Sequence, residues 1–374
     1  MSGSISQDEM DSIGDRKPVL PREPILTVVL GRMEPPHEGH EALIREALAE
    51  GDHTVLLLGS EGCSRSLDNP LTFVERKGLI EAIFAKEIGE GKLFIAGVRD
   101  LLYQDEKWLN LCIDTIKEYQ VKLGGPEVVF VGMEKDSETA GCIAMFNHAA
   151  RIHIVEPTIT LDATDIRYEL FSEFGDFDLA TEHVHPAVKD FLADFIKTDE
   201  YARLKEEYAA CLKQQKINAE VAALTGFPPI YVAVDALVVF YDYWDKPHLL
   251  LIRRKGPIGK GKYALPGGYL NADEYILTAV RRETGEETIL DISKLRPKRI
   301  EVFDAPKRSK RGRMITHVHQ FDLQGKFPPL VEGQDDAEWA GFVPLDKIPA
   351  LMPMFFADHF HIIAKMMPEI EDFI

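Results

Sequence analysis

Residues 25–50 read ILTVVLGRMEPPHEGHEALIREALAE. The first six, Ile25–Leu30, are a continuous apolar run, the pattern of a strand buried on both faces of a parallel sheet. Gly31-Arg32-Met33-Glu34-Pro35-Pro36 breaks that run. From Gly39 to Glu50 the apolar residues return at helical spacing. A strand feeding a Gly-bearing turn and a helix N-terminus gathers free backbone N–H groups and the positive end of the helix dipole, which is a phosphate site. His37 and His40 lie three apart and can face the same way on the first turn. Two imidazoles there suit charge developing on a phosphate. Taken singly, each histidine reads as well as a surface residue of a Pro-rich turn. The fixed set Gly31, Pro35, His37, Gly39 and His40 has about one chance in ten thousand of arising at random in a chain of this length, which favours the chemical reading.

The same grammar continues outward. Apolar runs at Thr54–Leu58, Leu93–Val98, Val128–Val131 and Ile152–Val155 predict further strands, with helices near 39–50, 72–88, 107–119 and 138–148. Repeated strand–helix alternation implies a doubly wound α/β domain. Residues 187–223 read as one helix, which Thr225-Gly226-Phe227-Pro228-Pro229 ends. Beyond it, strands are expected at Ile230–Phe240, His248–Arg253, 298–303 and 315–323, with helices at 273–287 and 355–367. The expected division is a disordered tail (1–24), a first domain (25–198), a helical connector (199–228) and a second domain (229–374).

Length and charge agree with this division. At about 150 residues per domain, 374 residues suggest two. Hydrophobic residues make up 45% and charged residues 28%, which excludes a wholly disordered or collagen-like chain. The net charge of -19 disfavours nucleic acid and anionic membrane as general partners. Four scattered cysteines without a C-x-x-C form neither a zinc cluster nor a disulfide framework and fit a reducing cytosol. No apolar run approaches the roughly 18 residues of a membrane helix, and no signal peptide is visible. The expectation is a cytoplasmic protein.

A second chemical site lies near residue 280. If 274–287 is helical, Glu283, Glu286 and Glu287 share one face. Stacked like charges destabilise a helix unless a cation neutralises them, and hard oxygen donors suit magnesium or manganese. Such a cation would bind a diphosphate and activate water. The plainer reading is a solvated acidic face. Against it stands the tight loop Leu265-Pro266-Gly267-Gly268 beside the helix. Between Lys294 and Arg313, nine Lys or Arg face only Glu301 and Asp304, an anion-binding strip in an acidic chain.

The first motif resembles the H-x-G-H signature of the nucleotidyltransferase superfamily. Its fuller form, G-R-x-x-P-x-H-x-G-H, resembles the archaeal-type nicotinamide mononucleotide (NMN) adenylyltransferases, with Met33 where an aromatic is usual. Arg65, Asn69-Pro70, Glu75-Arg76, Asp105–Trp108, Val131–Asp136 and Ala163–Arg167 resemble further segments of that family. Met133 stands where histidine is common, and Asp162 or Ala163 where serine is. The second site is similar to the Nudix box: Gly268, Glu274, Arg282, Glu283, Glu286, Glu287 and Leu290 agree, while Thr284 and Ile289 depart. Pro306-Lys307-Arg308, Arg311-Gly312-Arg313 and Gln334–Glu338 resemble stretches of Nudix domains that act on ADP-ribose.

The resemblance implies a Rossmann-like nucleotidyltransferase domain joined to a Nudix α/β/α sandwich, in a bifunctional enzyme of NAD metabolism. It implies adenylyl transfer from ATP to NMN, giving NAD and pyrophosphate. It also implies magnesium-dependent hydrolysis of ADP-ribose to AMP and ribose 5-phosphate, with manganese as the alternative metal. His37, His40 and Arg167 are the implied catalytic residues of the first site, with Gly31, Arg32, Gly39 and Thr164 binding phosphates. Arg65, Asn69, Trp108, Lys135 and Asp136 are implied for NMN. Glu283, Glu286 and Glu287 are the implied metal ligands, Glu286 and Glu287 also the implied catalytic residues of the second site, with Arg282 orienting a glutamate. Arg308, Arg311, Arg313, Asp335 and Asp336 are the candidates for ADP-ribose. The expected partners are these small molecules, and homo-oligomerisation stays open. The alternatives are a different mononucleotide or phosphopantetheine as acceptor and another nucleoside diphosphate derivative in the same folds, or a Nudix domain that only senses ADP-ribose.

Overall fold

The computed structural model describes residues 22–133, 141, 143–156 and 162–373. Of the tail expected over 1–24, the described part is residues 22–24, where Arg22 pairs with Asp52 at 2.9 Å.

Strands β1 (Ile25–Gly31), β2 (His53–Leu58), β3 (Leu93–Gly97), β4 (Glu127–Gly132) and β5 (Arg151–Ile154) form a wholly parallel sheet in the order β3-β2-β1-β4-β5. The continuous apolar runs are explained by two cores. Ile25 and Val29 of β1 face one cluster, and Leu26 and Val28 face the other, as the period of two requires. Thr27 is fully buried, and its hydroxyl is satisfied by Ala47 O and Thr54 Oγ1, each at 2.9 Å. Helices α1 (Glu38–Glu50), α2 (Phe73–Ile83), α3 (Ala85–Gly89) and α4 (Asp105–Lys122) follow the strands. The strand order reverses beside β1, so the crevice at its carboxyl end is where a ligand is expected in such a sheet.

Three helix expectations of the first half need correction. The helix expected over 72–88 is interrupted at Phe84, whose side chain is drawn fully into the core. Within 138–148, residues 141, 143 and 144 are helical but 145–148 are turn, and 138–140 and 142 lie outside the described residues. After α5 (Ala163–Phe171) and α6 (Phe177–Ala180), the helix expected over 187–223 is two: α7 (Pro186–Phe195) and α8 (Asp199–Thr225). Thr198 accounts for the break, since its hydroxyl caps α8 by accepting the Tyr201 N–H. Gly226, left-handed at φ 79°, ends α8.

The second half holds β6 (Ile230–Tyr241), β7 (Pro247–Arg254), β8 (Tyr263–Ala264), β9 (Gly267–Tyr269), α9 (Ile276–Thr288), β10 (Arg299–Phe303), β11 (Arg313–Gln324), β12 (Ala337–Pro344) and α10 (His359–Met366). Its mixed sheet runs β10-β11-β6-β7-β12, with β8 on β7 and β9 on β6. The β6–β11 pair is parallel and the others antiparallel. One face packs on α9 through Val234, Ala236, Val238 and Phe321. The other packs on α10 through Leu237, Val239, Leu249 and Val318. The result is the expected sandwich. The final helix begins at His359, later than expected, because 349–354 form a 3-10 turn containing Pro353.

Candidate active sites

At the first site, β1 delivers the chain to a turn with Met33 in the left-handed region (φ 56°) and its side chain fully buried beneath the sheet. Met33 therefore fills core space under the turn. The next residue, Glu34, was not singled out by the sequence, yet it organises the loop. Its buried carboxylate pairs with Arg76 Nε at 2.7 Å and accepts the Leu71 N–H at 3.1 Å. Its carbonyl accepts from Arg167 Nη1 at 2.7 Å. Burial pushes the Glu34 carboxyl up to about 8 against the pull of Arg76. Arg76 also donates to the carbonyls of Arg32, Gly59 and Ser60, tying the ends of β1 and β2 together.

His37 is the N-cap of α1, and its Nδ1 accepts the Gly39 N–H at 3.1 Å. That bond leaves Nε2 as the ring's other polar atom. The His37 and His40 rings lie 3.8 Å apart, so the three-residue spacing does bring the imidazoles together. Arg167 is buried and also donates to Thr164 Oγ1 at 3.1 Å. The Thr164 and Asp165 N–H groups are taken by Asp162, which caps α5. A carboxylate thus stands where a hydroxyl is usual, and Arg167 supplies the cation there. Arg32 reaches Asn69 Oδ1 at 3.3 Å. Arg65 is held by Glu75 at 2.6 Å and Pro70 O at 2.7 Å. Trp108 is half-buried, edge-on to Phe146. Lys135 and Asp136 lie outside the described residues.

At the second site, the close turn of Gly267 and Gly268 lets β9 approach α9. A Cβ at Gly268 would stand 2.5 Å from Glu283 Oε1, and one at Gly267 would stand 2.1 Å from Val234 O. Arg282 forks over the acidic face. It donates to Glu274 at 2.6 and 3.0 Å, to Glu283 at 2.8 Å and to Glu286 at 2.9 Å. That pairing holds the Glu274 carboxyl down at about 2. Glu287 is buried, accepts the Gly267 N–H at 2.8 Å, and is pushed up to about 8 by burial. Both departures from the usual pattern have a local account. Thr284 is fully buried and donates to Val280 O at 2.7 Å. Ile289 takes the left-handed cap of α9 at φ 59°, where glycine is easier.

The expected trio Glu283, Glu286 and Glu287 does line one face, but Arg282 draws the first two to itself. Among the described residues, no three His, Cys, Asp or Glu are gathered closely enough to hold a metal ion. Their chemistry nonetheless fits a hard divalent cation: three oxygen donors sit within one turn, and burial raises the carboxyls of Glu283 and Glu287. Asp235, paired in register with Gly267, is a further acid at this site, pushed up to about 7 by burial. Its only sequence signal is an acid inside an apolar strand.

These residues border a cavity of about 420 Å³. Asp335 and Asp336 border it from the loop before β12. Arg311 borders it too, 5.4 Å over the Tyr269 ring. Arg308 also borders it, but its guanidinium is buried in a two-point pair with Asp358 at 2.8 and 3.0 Å. Arg313 is not brought to the cavity and instead bonds Asp304 O. Residues of the first half, including Cys63, Asp68 and Asp100, form one wall, and Lys310 pairs with Asp68 at 2.6 Å.

Residues 232–366 match the NUDIX domain family. The second half is a NUDIX domain. Over the whole chain, a crystal structure of a bifunctional NMN adenylyltransferase/ADP ribose pyrophosphatase from Francisella tularensis, complexed with AMP and a manganese ion, matches with a TM-score of 0.82. The match has 27% identity and covers 93% of this chain and 99% of that one. The ADP-ribose pyrophosphatase of Methanocaldococcus jannaschii is 37% identical over 121 residues, 32% of this chain and 65% of that protein, just under two thirds of it. The nicotinamide/nicotinic acid mononucleotide adenylyltransferase of Acinetobacter baylyi is 25% identical over 186 residues, 49% of this chain and 93% of that protein. Beside the NUDIX domain, the first half is similar to adenylyltransferases of this kind. No helix among the described residues is long and apolar enough to cross a membrane.

Proposed function

We propose that this chain makes NAD from ATP and NMN in its first domain and cleaves ADP-ribose in its NUDIX domain. The observation that carries the reading is that this chain's fold follows the Francisella bifunctional protein across 93% of this chain.

In the first reaction, a phosphate oxygen of NMN attacks the α-phosphorus of ATP, the α–β bridging P–O bond breaks, and pyrophosphate leaves. His37 and His40 donate to the α-phosphate as charge builds on it, at the N-terminus of α1. Arg167 and Arg32 hold the leaving pyrophosphate, with Gly31, Gly39 and Thr164 lining the phosphates. Arg65, Asn69 and Trp108, with Lys135 and Asp136, hold NMN. This chemistry needs positioning and charge neutralisation more than covalent help.

In the second reaction, water attacks one phosphorus of the diphosphate and the P–O–P bridge opens to AMP and ribose 5-phosphate. Glu283, Glu286 and Glu287 would hold a divalent cation, magnesium by preference, which neutralises the diphosphate and lowers the pKa of a bound water. Asp335 or Asp336 takes the proton from water, and Arg311 binds a substrate phosphate. The domains run over 25–198 and 229–374, joined by 199–228, in a cytoplasmic protein.

Chromatography of a mixture of protein, magnesium, ATP and NMN tests the first half. NAD should form, and should vanish with His37→Ala. ADP-ribose with magnesium or manganese tests the second half through release of AMP and ribose 5-phosphate. Tight binding of ADP-ribose without cleavage would sink the hydrolase in favour of a sensor.

A further inference from the structure

The connection between β3 and α4 reaches from the first domain into the NUDIX domain. There the Tyr103 ring packs edge-on to Phe303 at 4.9 Å. With Cys63, Tyr103 lies against the NUDIX core cluster that α10 covers. The Tyr103 hydroxyl donates to Asp358 Oδ2. Asp358 is buried, immediately precedes α10, and takes the two-point grip of Arg308. The next residue, His359, accepts the Leu265 N–H on Nδ1 at 3.1 Å. Two residues further along that loop, the Gly267 N–H donates to Glu287. An unbroken path thus runs from a first-domain hydroxyl to a carboxylate of the NUDIX site.

Each link constrains the next. Asp358 is joined directly to His359, so the hold of Tyr103 and Arg308 on its carboxylate fixes the backbone from which the His359 ring projects. The His359 ring in turn holds the loop that carries Gly267, through Leu265. Partners one shell removed from a reacting group commonly control its orientation. We infer that Tyr103 is a positioning residue for the NUDIX site, so that the first domain completes a site formed by the second. The activity part of this inference rests on the hydrolysis proposed above.

The test is Tyr103→Phe in the full chain. This change keeps the ring on Phe303 and removes only the hydroxyl. Manganese-dependent hydrolysis of ADP-ribose should lose about tenfold in kcat, with KM within about twofold of wild type. Formation of NAD by the same preparation should be unchanged. Hydrogen exchange of the Leu265–Gly268 amides should quicken, while the β1–β5 sheet exchanges as before. Unchanged exchange in that loop overturns the inference, as does a rise in KM alone or an unchanged kcat. If the wild-type protein does not cleave ADP-ribose, the functional reading has failed, and the exchange comparison still decides whether Tyr103 holds the loop.

Discussion

Two imidazoles and two guanidiniums, from His37, His40, Arg32 and Arg167, stand at the carboxyl end of β1, whereas three carboxylates stand along one face of α9. Both arrangements suit phosphate chemistry, yet their charges are opposite. At the first site the chain carries its own cations, and the buried acid Glu34 is answered inside by Arg76. At the second, burial raises Glu287 and Asp235, and Arg282 pairs with Glu283 and Glu286. A site built from protein cations can neutralise a phosphate directly. A site built from acids needs an added cation before an anionic substrate is welcome.

The comparison is broken most sharply by Glu287→Gln. Hydrolysis of ADP-ribose should fall by about 10²-fold or more, while NAD formation in the same sample holds. Loss of both activities would mean that the two sites do not work independently. His40→Ala should do the reverse, lowering NAD formation by about 10²-fold and sparing hydrolysis. Arg76→Leu tests whether the first site depends on its internal cation. It takes the buried donor away from the Glu34 carboxyl and from the Arg32, Gly59 and Ser60 carbonyls, which should cost about 3 kcal/mol, readable in urea melts followed by tryptophan fluorescence.

A smaller effect is expected at Asp235. A carboxyl whose pKa is raised from 3.8 to about 7 holds its proton more tightly in the folded state than in the unfolded one. Its contribution to stability is therefore full below about 4 and fades as pH rises through about 7. Asp235→Asn should lessen that decline in urea melts taken across this range with a chelator present. An unchanged slope would mean that Asp235 is ionised at no cost. The smallest effect concerns Ile289. Glycine there relieves a left-handed β-branched residue but frees the unfolded chain, so Ile289→Gly should stabilise by roughly 0.5 kcal/mol, measured by thermal melting.

The two sites also differed in legibility. The His37–His40 pair and the α9 carboxylates could be placed in advance because each set lies within two helical turns, where spacing decides which side chains meet. Glu34 could not, since its partners Arg76, Leu71 and Arg167 lie far along the chain. Strands β8 and β9 have two and three residues, too few for a period, and exist because β7 and β6 supply their hydrogen bonds. The helix expected over 187–223 is divided because one threonine cap outweighs good helix formers on both sides of it.

Local order in the chain was thus enough to settle the parallel sheet and to nominate the residue types at both sites, because backbone pattern and helix spacing are short-range properties, whereas the second sandwich was implied by the resemblance to the Nudix box. The fate of each charge was decided only in three dimensions. Arg308, Arg311 and Arg313 sit within one short segment, yet one is buried on Asp358, one faces the cavity and one bonds Asp304. A charge settles where burial and a partner balance, and those partners are brought close by the fold, not by the spacing of the chain.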